Sequence, residues 1–438
     1  MIFDDPTRTH LLGSIEASNL VLLCGAGLSI PTPSGLMSAV QVSRTCYDKY
    51  LPIMALPVAM RDNVEQLAEH FYNSGEFDSL FLGTLVPWND LVGQPNKGHA
   101  AVADFLICGA AAGALSANFD PLIEHWANDR KIAMSGALTG QEATTPGKDG
   151  GPLVKFHGCL VRDRNKTLWA KAQLAEPEIA ARIASCSQWM GLTLPGRDVV
   201  VVGFWTDWGY LNDVIAAALN VNPFSSVTVI DPKSEADLQT TAPALWARLT
   251  AGTTHFQHVQ ASGADALEEL RTAFSKVWAK KFYALGKTML ESEGKPYSAI
   301  DPVMSSEDFY SFRQDAEGIP YHRAAKLKAP SAGAAAAAFL HLLLIEAKAV
   351  RRGSWYEYGG KLIRVVQGAG EAISTVRERY REPPAALQPD IVVCAGALDI
   401  PVPGHLIASG AGASVVRPGA GGGIPWLTLD QARGELTI

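Results

Sequence analysis

Five short apolar runs, each closing on a small or polar residue, constrain this chain more than any other feature of its sequence. Leu20-Val21-Leu22-Leu23-Cys24 stops at Gly25-Ala26-Gly27, and comparable runs follow at Ala114–Ala117, Leu153–Phe156, Val199–Val202 and Val227–Ile230. These four are followed by Asn118, His157, Gly203 and Asp231. Apolar runs this short, without alternation, are what strands buried on both faces require. Polar residues gathered at their carboxyl ends predict an α/β fold, a Rossmann-like doubly wound parallel sheet with its ligand crevice along that edge. A parallel crossover needs only about a dozen residues, and the stretch 37–107 between the first two runs is far longer. Helical patterns within it, such as Asn63–Phe71, predict a helical insertion over one face of the sheet, a natural lid for a cleft.

The chain has 438 residues, 47% apolar and 18% charged, with mean hydropathy +0.07. That composition belongs to a folded protein of two or three domains. Lys+Arg 37 against Asp+Glu 44 gives a net charge of −7, without the basic footprint of a direct nucleic-acid binder. The six cysteines (Cys24, Cys46, Cys108, Cys159, Cys186 and Cys394) include no pair at C-x-x-C spacing, which argues against a zinc ribbon or a disulfide scaffold. Met1-Ile2-Phe3-Asp4-Asp5 lacks the basic start of a signal peptide. The longest apolar run, Gly333–Ile345, is interrupted by His341 and is shorter than a membrane span. A cytoplasmic protein without membrane attachment is expected.

Character changes near Leu285. Residues 1–285 hold the alternating pattern, and Gly286–Pro302 reads as a connector. Residues 286–438 read as a C-terminal α+β module: a polar helix at Ser305–Gln314, an Ala-rich helix at Ala334–Val350, strands at Lys361–Val366 and Ile391–Cys394, and a Gly-rich loop at Gly410–Gly423. Lys348–Arg381 carries eight basic residues against three acids, read as a solvated face. No internal repeat is evident.

Three constellations carry chemistry. Gly25-Ala26-Gly27-Leu28-Ser29 follows the first strand, and two glycines and an alanine let backbone N–H groups approach an anion. It lacks both the third glycine of a dinucleotide fingerprint and the Gly-Lys-Ser/Thr of a P-loop. Asn118-Phe119-Asp120 puts an amide and a carboxylate at another strand end. Asn118 can hold a water through its carbonyl oxygen and Asp120 can accept from a carboxamide or hydroxyl, or Asp120 and Pro121 can simply start a helix. His157-Gly158 closes a third strand, placed for general-base work or for plain packing.

These segments, with Val200–Gly203 and Val229–Asp231, occur in the order and rough spacing of the sirtuin family, which the chain resembles over about residues 10–280. Pro95-Asn96-Lys97-Gly98-His99-Ala100 and the Ser262-Gly263 turn add to the likeness. The resemblance implies an NAD-binding domain that breaks the nicotinamide–ribose bond. It would place Gly25, Ala26, Gly27 and Ser29 along the pyrophosphate and neighbouring ribose, Asn118 on the water or hydroxyl near the anomeric carbon, and Asp120 on the nicotinamide amide. His157 would act as base, Gly203 would admit the cofactor, and Asp231 would sit near the adenosine ribose.

Protein deacylases of that family carry a zinc module with two Cys pairs after the catalytic His. Here Cys159–Asp198 holds two thiols, Cys159 and Cys186, too few for a four-ligand site, so no zinc is expected. The Gly203–Tyr210 segment is aromatic where deacylases have a small turn; Trp205 and Trp208 either stack on adenine or pack in the core. The pattern is most similar to the zinc-less sirtuin-like NAD hydrolases of bacterial anti-phage defence. Such a likeness implies an oligomeric NAD glycohydrolase controlled by residues 286–438 or by a partner such as a HerA-type ATPase or a short Argonaute. An NAD-dependent deacylase and a non-catalytic NAD or ADP-ribose-binding assembly protein are the alternatives.

Overall fold

The structure is a computed structural model and describes residues 1–145, 151–251, 253, 255–317, 330–368, 376, 388–396 and 424–438. The chain forms two compact units, Met1–Leu270 and Arg271–Ile438. The division falls inside one helix, upstream of the connector at Gly286–Pro302 expected from composition.

In the first unit six parallel strands form one sheet: β1 (Leu20–Cys24), β2 (Ala111–Ser116), β3 (Leu153–Lys155), β4 (Asp198–Val202), β5 (Ser226–Ile230) and β6 (Phe256–Val259). Their order is β3-β2-β1-β4-β5-β6. Every residue of β1, β4 and β5 is buried, the consequence of continuous Val/Leu/Ile runs that need cover on both faces. The helical series of this unit begins with α1 (Asp5–Glu16), α2 (Ala39–Tyr50), α3 (Val64–Asn73), α4 (Lys97–Ile107), α5 (Leu122–Asp129) and α6 (Gly140–Thr144). It continues with α7 (Pro177–Thr193), α8 (Gly209–Val221), α9 (Glu235–Thr241), α10 (Pro243–Ala251) and the start of α11 (Gly263–Leu285).

Part of the stretch 37–107 forms a helical cluster with a core of its own. Helices α2 and α3, a π-helix (Phe77–Leu85) and a short 3-10 turn (Trp88–Leu91) gather around their own core of Val42, Tyr47, Leu67, Phe71, Phe81 and Leu85. Trp169 and Ala170, from the segment after β3, complete that core. Helix α4 belongs to the sheet layer: all its residues from Gly98 to Ile107 are buried.

The second unit holds a five-stranded sheet, order β11-β10-β9-β8-β7. Strands β7 (Val350–Arg352), β8 (Trp355–Tyr358) and β9 (Lys361–Gln367) run antiparallel, and β10 (Ile391–Ala395) and β11 (Trp426–Thr428) continue parallel to β9. Helices α12 (Lys287–Ser292), α13 (Ser306–Glu317) and α14 (Ala335–Glu346) belong to the same unit. Apolar on all sides, α14 is buried from Ala337 to Leu344, as such a helix must be. It stops at Glu346, short of the expected Val350, because Lys348 takes a positive φ of 63° and turns the chain into β7. The expected loop at Gly410–Gly423, and Glu371, Arg377, Glu378, Arg379 and Arg381 of the basic segment, lie outside the described residues. Among the described residues no helix is long and apolar enough to cross a membrane.

Candidate active site

The strand order reverses between β1 and β4, so the connections leaving these neighbours diverge and open a crevice at their carboxyl ends. Gly25–Ser29 leaves β1 there and Gly203 leaves β4. The glycines bring these two turns together. The Gly25 N–H donates to Val202 O at 3.0 Å and the Gly27 N–H to Gly203 O at 2.9 Å. A Cβ on Gly25 would stand 2.6 Å from Gly203 O, and one on Gly27 would stand 2.7 Å from Gly203 Cα. The Gly25 and Gly27 amides are thus both used inside the fold. Leu28 and Ser29 donate back to Gly25 O and Ala26 O. Ala26 is the residue of the turn whose N–H has no backbone acceptor among the described residues.

Around Ser29 the structure assembles a closed hydrogen-bond array. The buried Ser29 hydroxyl donates to Asp120 Oδ2 at 2.9 Å. It stands 3.0 Å from His99 Nε2 and 3.2 Å from Asn118 Nδ2. Asn118 Nδ2 also donates to Gly25 O at 3.0 Å. Both amide protons are thereby used, which leaves Asn118 Oδ1 as the free acceptor.

The start of α4 decides the proton position on His99. Asn96 caps the helix, its Oδ1 accepting from the Gly98 and His99 N–H groups at 2.9 and 3.2 Å. In return the Asn96 N–H donates to His99 Nδ1 at 3.2 Å. This is a capping box with histidine in the usual Glu/Gln position. Because Nδ1 accepts, the neutral ring carries its proton on Nε2 and donates it to Ser29 Oγ. Burial pushes the His99 pKa down to about 4, with Asp120 opposing and Lys155 assisting. His99 was not among the residues expected to form the site; an Asn-x-x-His start to a helix is the sequence signal that marks it.

Asp120 stands one residue ahead of Pro121, the N-cap of α5, and both of its carboxylate oxygens are engaged. Its Oδ1 accepts from the Leu122 N–H at 3.2 Å and so opens α5, while Oδ2 takes the Ser29 hydroxyl. Lys155, buried at the end of β3, donates to Asp120 O at 2.6 Å and Glu124 Oε1 at 3.2 Å. Burial alone would drive its pKa down, but Glu124, Cys159 and Asp120 hold it above the ordinary lysine value.

Ser29, Asn118 and Asp120 line a cavity of about 540 Å³ including its open mouth. Ala26 and Ala117 contribute from the strand ends, Leu36, Met37, Ala39, Val42 and Leu91 from the segment before β2, and Phe119 and Trp169 close the wall. A few convergent polar groups thus face a mainly apolar chamber roofed by the insertion.

His157 is not among the residues lining this cavity. It is 6% exposed, with its ring centroid 4.9 Å from that of Trp208 and its Nε2 2.6 Å from the Tyr210 hydroxyl. Burial pushes its pKa down to about 3, with Arg182 acting in the same direction. Asp231 is buried at the end of β5 and accepts from the Lys233 N–H at 2.9 Å. Trp205 packs edge-on to Trp246 and donates to Leu238 O at 2.7 Å, which is core packing. Cys159 and Cys186 are buried free thiols, and among the described residues no group of His, Cys, Asp or Glu is placed to hold a metal ion.

The buried histidines make stability depend on pH. For His99 and His157 the folded-state pKa lies below the unfolded value of about 6.5. Between those values the unfolded chain binds more protons, so their contribution is complete above about pH 6.5 and is lost as pH falls toward 4. His341 in the second unit, its pKa depressed by burial, acts in the same sense. The thermal midpoint of wild type is expected to drop steadily from pH 6.5 to 4.5, and less steeply in His99→Gln. Equal slopes in the two proteins, followed by circular dichroism, would show that His99 is not buried neutral.

No family model matches the chain, and none of the curated proteins matches it. Among the solved structures with some likeness to it are Sir2 enzymes and homologues. One, described under the mechanism and regulation of Sir2 enzymes, is 14% identical, with a TM-score of 0.33 over 61% of this chain and 100% of that one. A Sir2 homologue–NAD complex is 15% identical, with a TM-score of 0.36 over 60% and 91%. A mutant Sir2 homologue in complex with ADP-ribose is 16% identical, with a TM-score of 0.34 over 62% and 98%.

Proposed function

We propose that the first unit is an NAD glycohydrolase that cleaves NAD to ADP-ribose and nicotinamide. The observation that carries this reading is the array at the strand ends: Asn118 is held by Gly25 O and Ser29 Oγ with Oδ1 left to accept, beside Asp120 in a mainly apolar cavity. Nicotinamide leaves a cationic ring as a neutral molecule, taking the bonding pair of the glycosidic bond, so departure needs no strong acid. Water supplies the oxygen that bonds to the anomeric carbon, and one proton is released. Catalysis then consists of placing that water and stabilising positive charge on the sugar. Asn118 Oδ1 fits the first task. Asp120 fits recognition of a carboxamide N–H₂, and the apolar walls fit the flat ring. Ala26 N–H remains as a donor for a phosphate oxygen, and His157 is the candidate base. Asp231 would lie toward the adenosine end.

The wider role in this reading is an effector that depletes NAD in anti-phage defence, working as an oligomer under the control of the C-terminal unit or a partner. Mass-spectrometric product analysis tests the chemistry. The purified chain, alone and with the product of its neighbouring gene, is expected to convert NAD to nicotinamide and ADP-ribose in equal amounts without any peptide. Consumption that requires an acyl-lysine peptide in stoichiometric amount would replace the proposal with a deacylase. Binding without turnover in every condition would replace it with an NAD-binding assembly role.

A further inference from the structure

The imidazole of His157 sits in a frame that sequence reasoning did not anticipate. Its backbone carbonyl accepts from the Leu168 N–H at 2.9 Å, and Gly158 beyond it takes a φ of 99°. Phe156 meets the ring edge-on at 4.6 Å between centroids, and Trp208 covers it at 4.9 Å. Tyr210, in the first turn of α8, reaches Nε2 at 2.6 Å. The loop presenting Tyr210 is anchored on its far side. Asp207 accepts from the Leu245 and Ala244 N–H groups at 2.9 and 3.2 Å, and Trp205 is fixed to Leu238 O. Arg182 and Cys186 of α7 are the other titratable groups facing the pair, and Arg182 is itself bound to Asp163 at 2.6 Å.

A neutral imidazole has one in-plane lone pair, and a hydroxyl that donates to it takes all of it. Burial keeps the phenol protonated, and a phenol that donates to Nε2 leaves the ring proton on Nδ1. We propose that Tyr210 is the positioning residue of His157: it fixes the neutral Nδ1–H tautomer, and any proton reaching Nε2 comes through the Tyr210 oxygen. In turnover the phenol O–H bond breaks as the Nε2–H bond forms. The phenol oxygen meanwhile takes a proton from the water or ribose hydroxyl whose oxygen is gaining a bond to carbon. The imidazolium afterwards returns its proton to solvent. This inference rests on the NAD cleavage proposed above and on the observed hydrogen bond, and the two are tested separately.

Tyr210→Phe keeps the ring that packs on Trp208 and removes only the hydroxyl. In that variant kcat for NAD is expected to fall at least ~10-fold, within the range of proton-transfer contributions, with KM little changed. The acid limb of the pH–kcat profile is expected to move upward, because a donor to the neutral form of His157 has been lost. Histidine-nitrogen NMR of the full chain supplies a readout independent of turnover. Wild type is expected to show His157 protonated at Nδ1, and Tyr210→Phe to lose that fixed tautomer. A Tyr210→Phe enzyme with wild-type kcat and pH profile overturns the proposal, as does an Nε2–H tautomer in wild type. If wild type cleaves no NAD, the NMR result alone decides the Tyr210–His157 relation, and the failure falls on the NAD reading.

Discussion

Asn118→Ala is expected to lower NAD turnover by roughly 10²–10³-fold, the loss seen when one preorganised polar group is removed from a reacting centre. The side chain has no freedom to be replaced by a neighbour. Its two amide protons are committed to Gly25 O and Ser29 Oγ, which fixes the direction in which Oδ1 points. Alanine removes the acceptor and takes one donor from each of those two oxygens, which keep the Leu28 N–H and the His99 Nε2–H. Two readouts separate these effects. Affinity for NAD, measured by calorimetry in the absence of turnover, should change only a few-fold, because the cavity walls and Asp120 remain. Turnover should be nearly abolished. Asn118→Asp keeps an acceptor oxygen but gives up both donors and sets a second carboxylate near Asp120, so it should be equally inactive and bind more weakly. Retention of a third or more of wild-type turnover by Asn118→Ala would remove Asn118 from the chemistry.

Much of this geometry was legible in the sequence, for identifiable physical reasons. Strands β1, β4 and β5 are central and buried on both faces, so their apolar runs mark them almost to the residue. Strand β6 is an edge strand of Phe-Gln-His-Val with three half-buried residues, and no comparable run announces it. The hairpin β7–β8 was hidden in the same way, by Arg351-Arg352 and by a charged and aromatic second strand. Asn118, Asp120 and Ser29 were legible because they follow the carboxyl ends of β2 and β1. His99 and Tyr210 were not, because each acts through a partner distant in sequence: His99 through Ser29, Tyr210 through His157. Gly25, Gly27 and Gly203 were read as making room beside a ligand, and in the fold a Cβ on any of them would also meet the opposite turn.

That mutual contact sets the second large effect, the loss of stability in Gly203→Ala. Gly203 has a φ of 60°, which costs an L-residue roughly 1–2 kcal/mol. Its added Cβ would stand 2.5 Å from Leu28 N and 2.7 Å from Gly27 C, backbone atoms of a 3-10 turn (Ala26–Leu28) with no flexible end to yield. Forcing them apart adds about 1–3 kcal/mol of overpacking and stretches the Gly27 N–H···O=C Gly203 bond. A penalty of this size shifts the melting midpoint of a unit this large by roughly 5–15 °C. The turn that moves also carries Ala26 and Ser29, so NAD affinity should fall along with stability, unlike in Asn118→Ala. Gly13→Ala is the matched control: Gly13 lies inside α1 with open space at its Cβ position. Alanine there should raise stability by about 0.5–1 kcal/mol. A Gly203→Ala protein that melts within 2 °C of wild type would mean that the turns after β1 and β4 do not meet as described, and the crevice built on them would have to be redrawn.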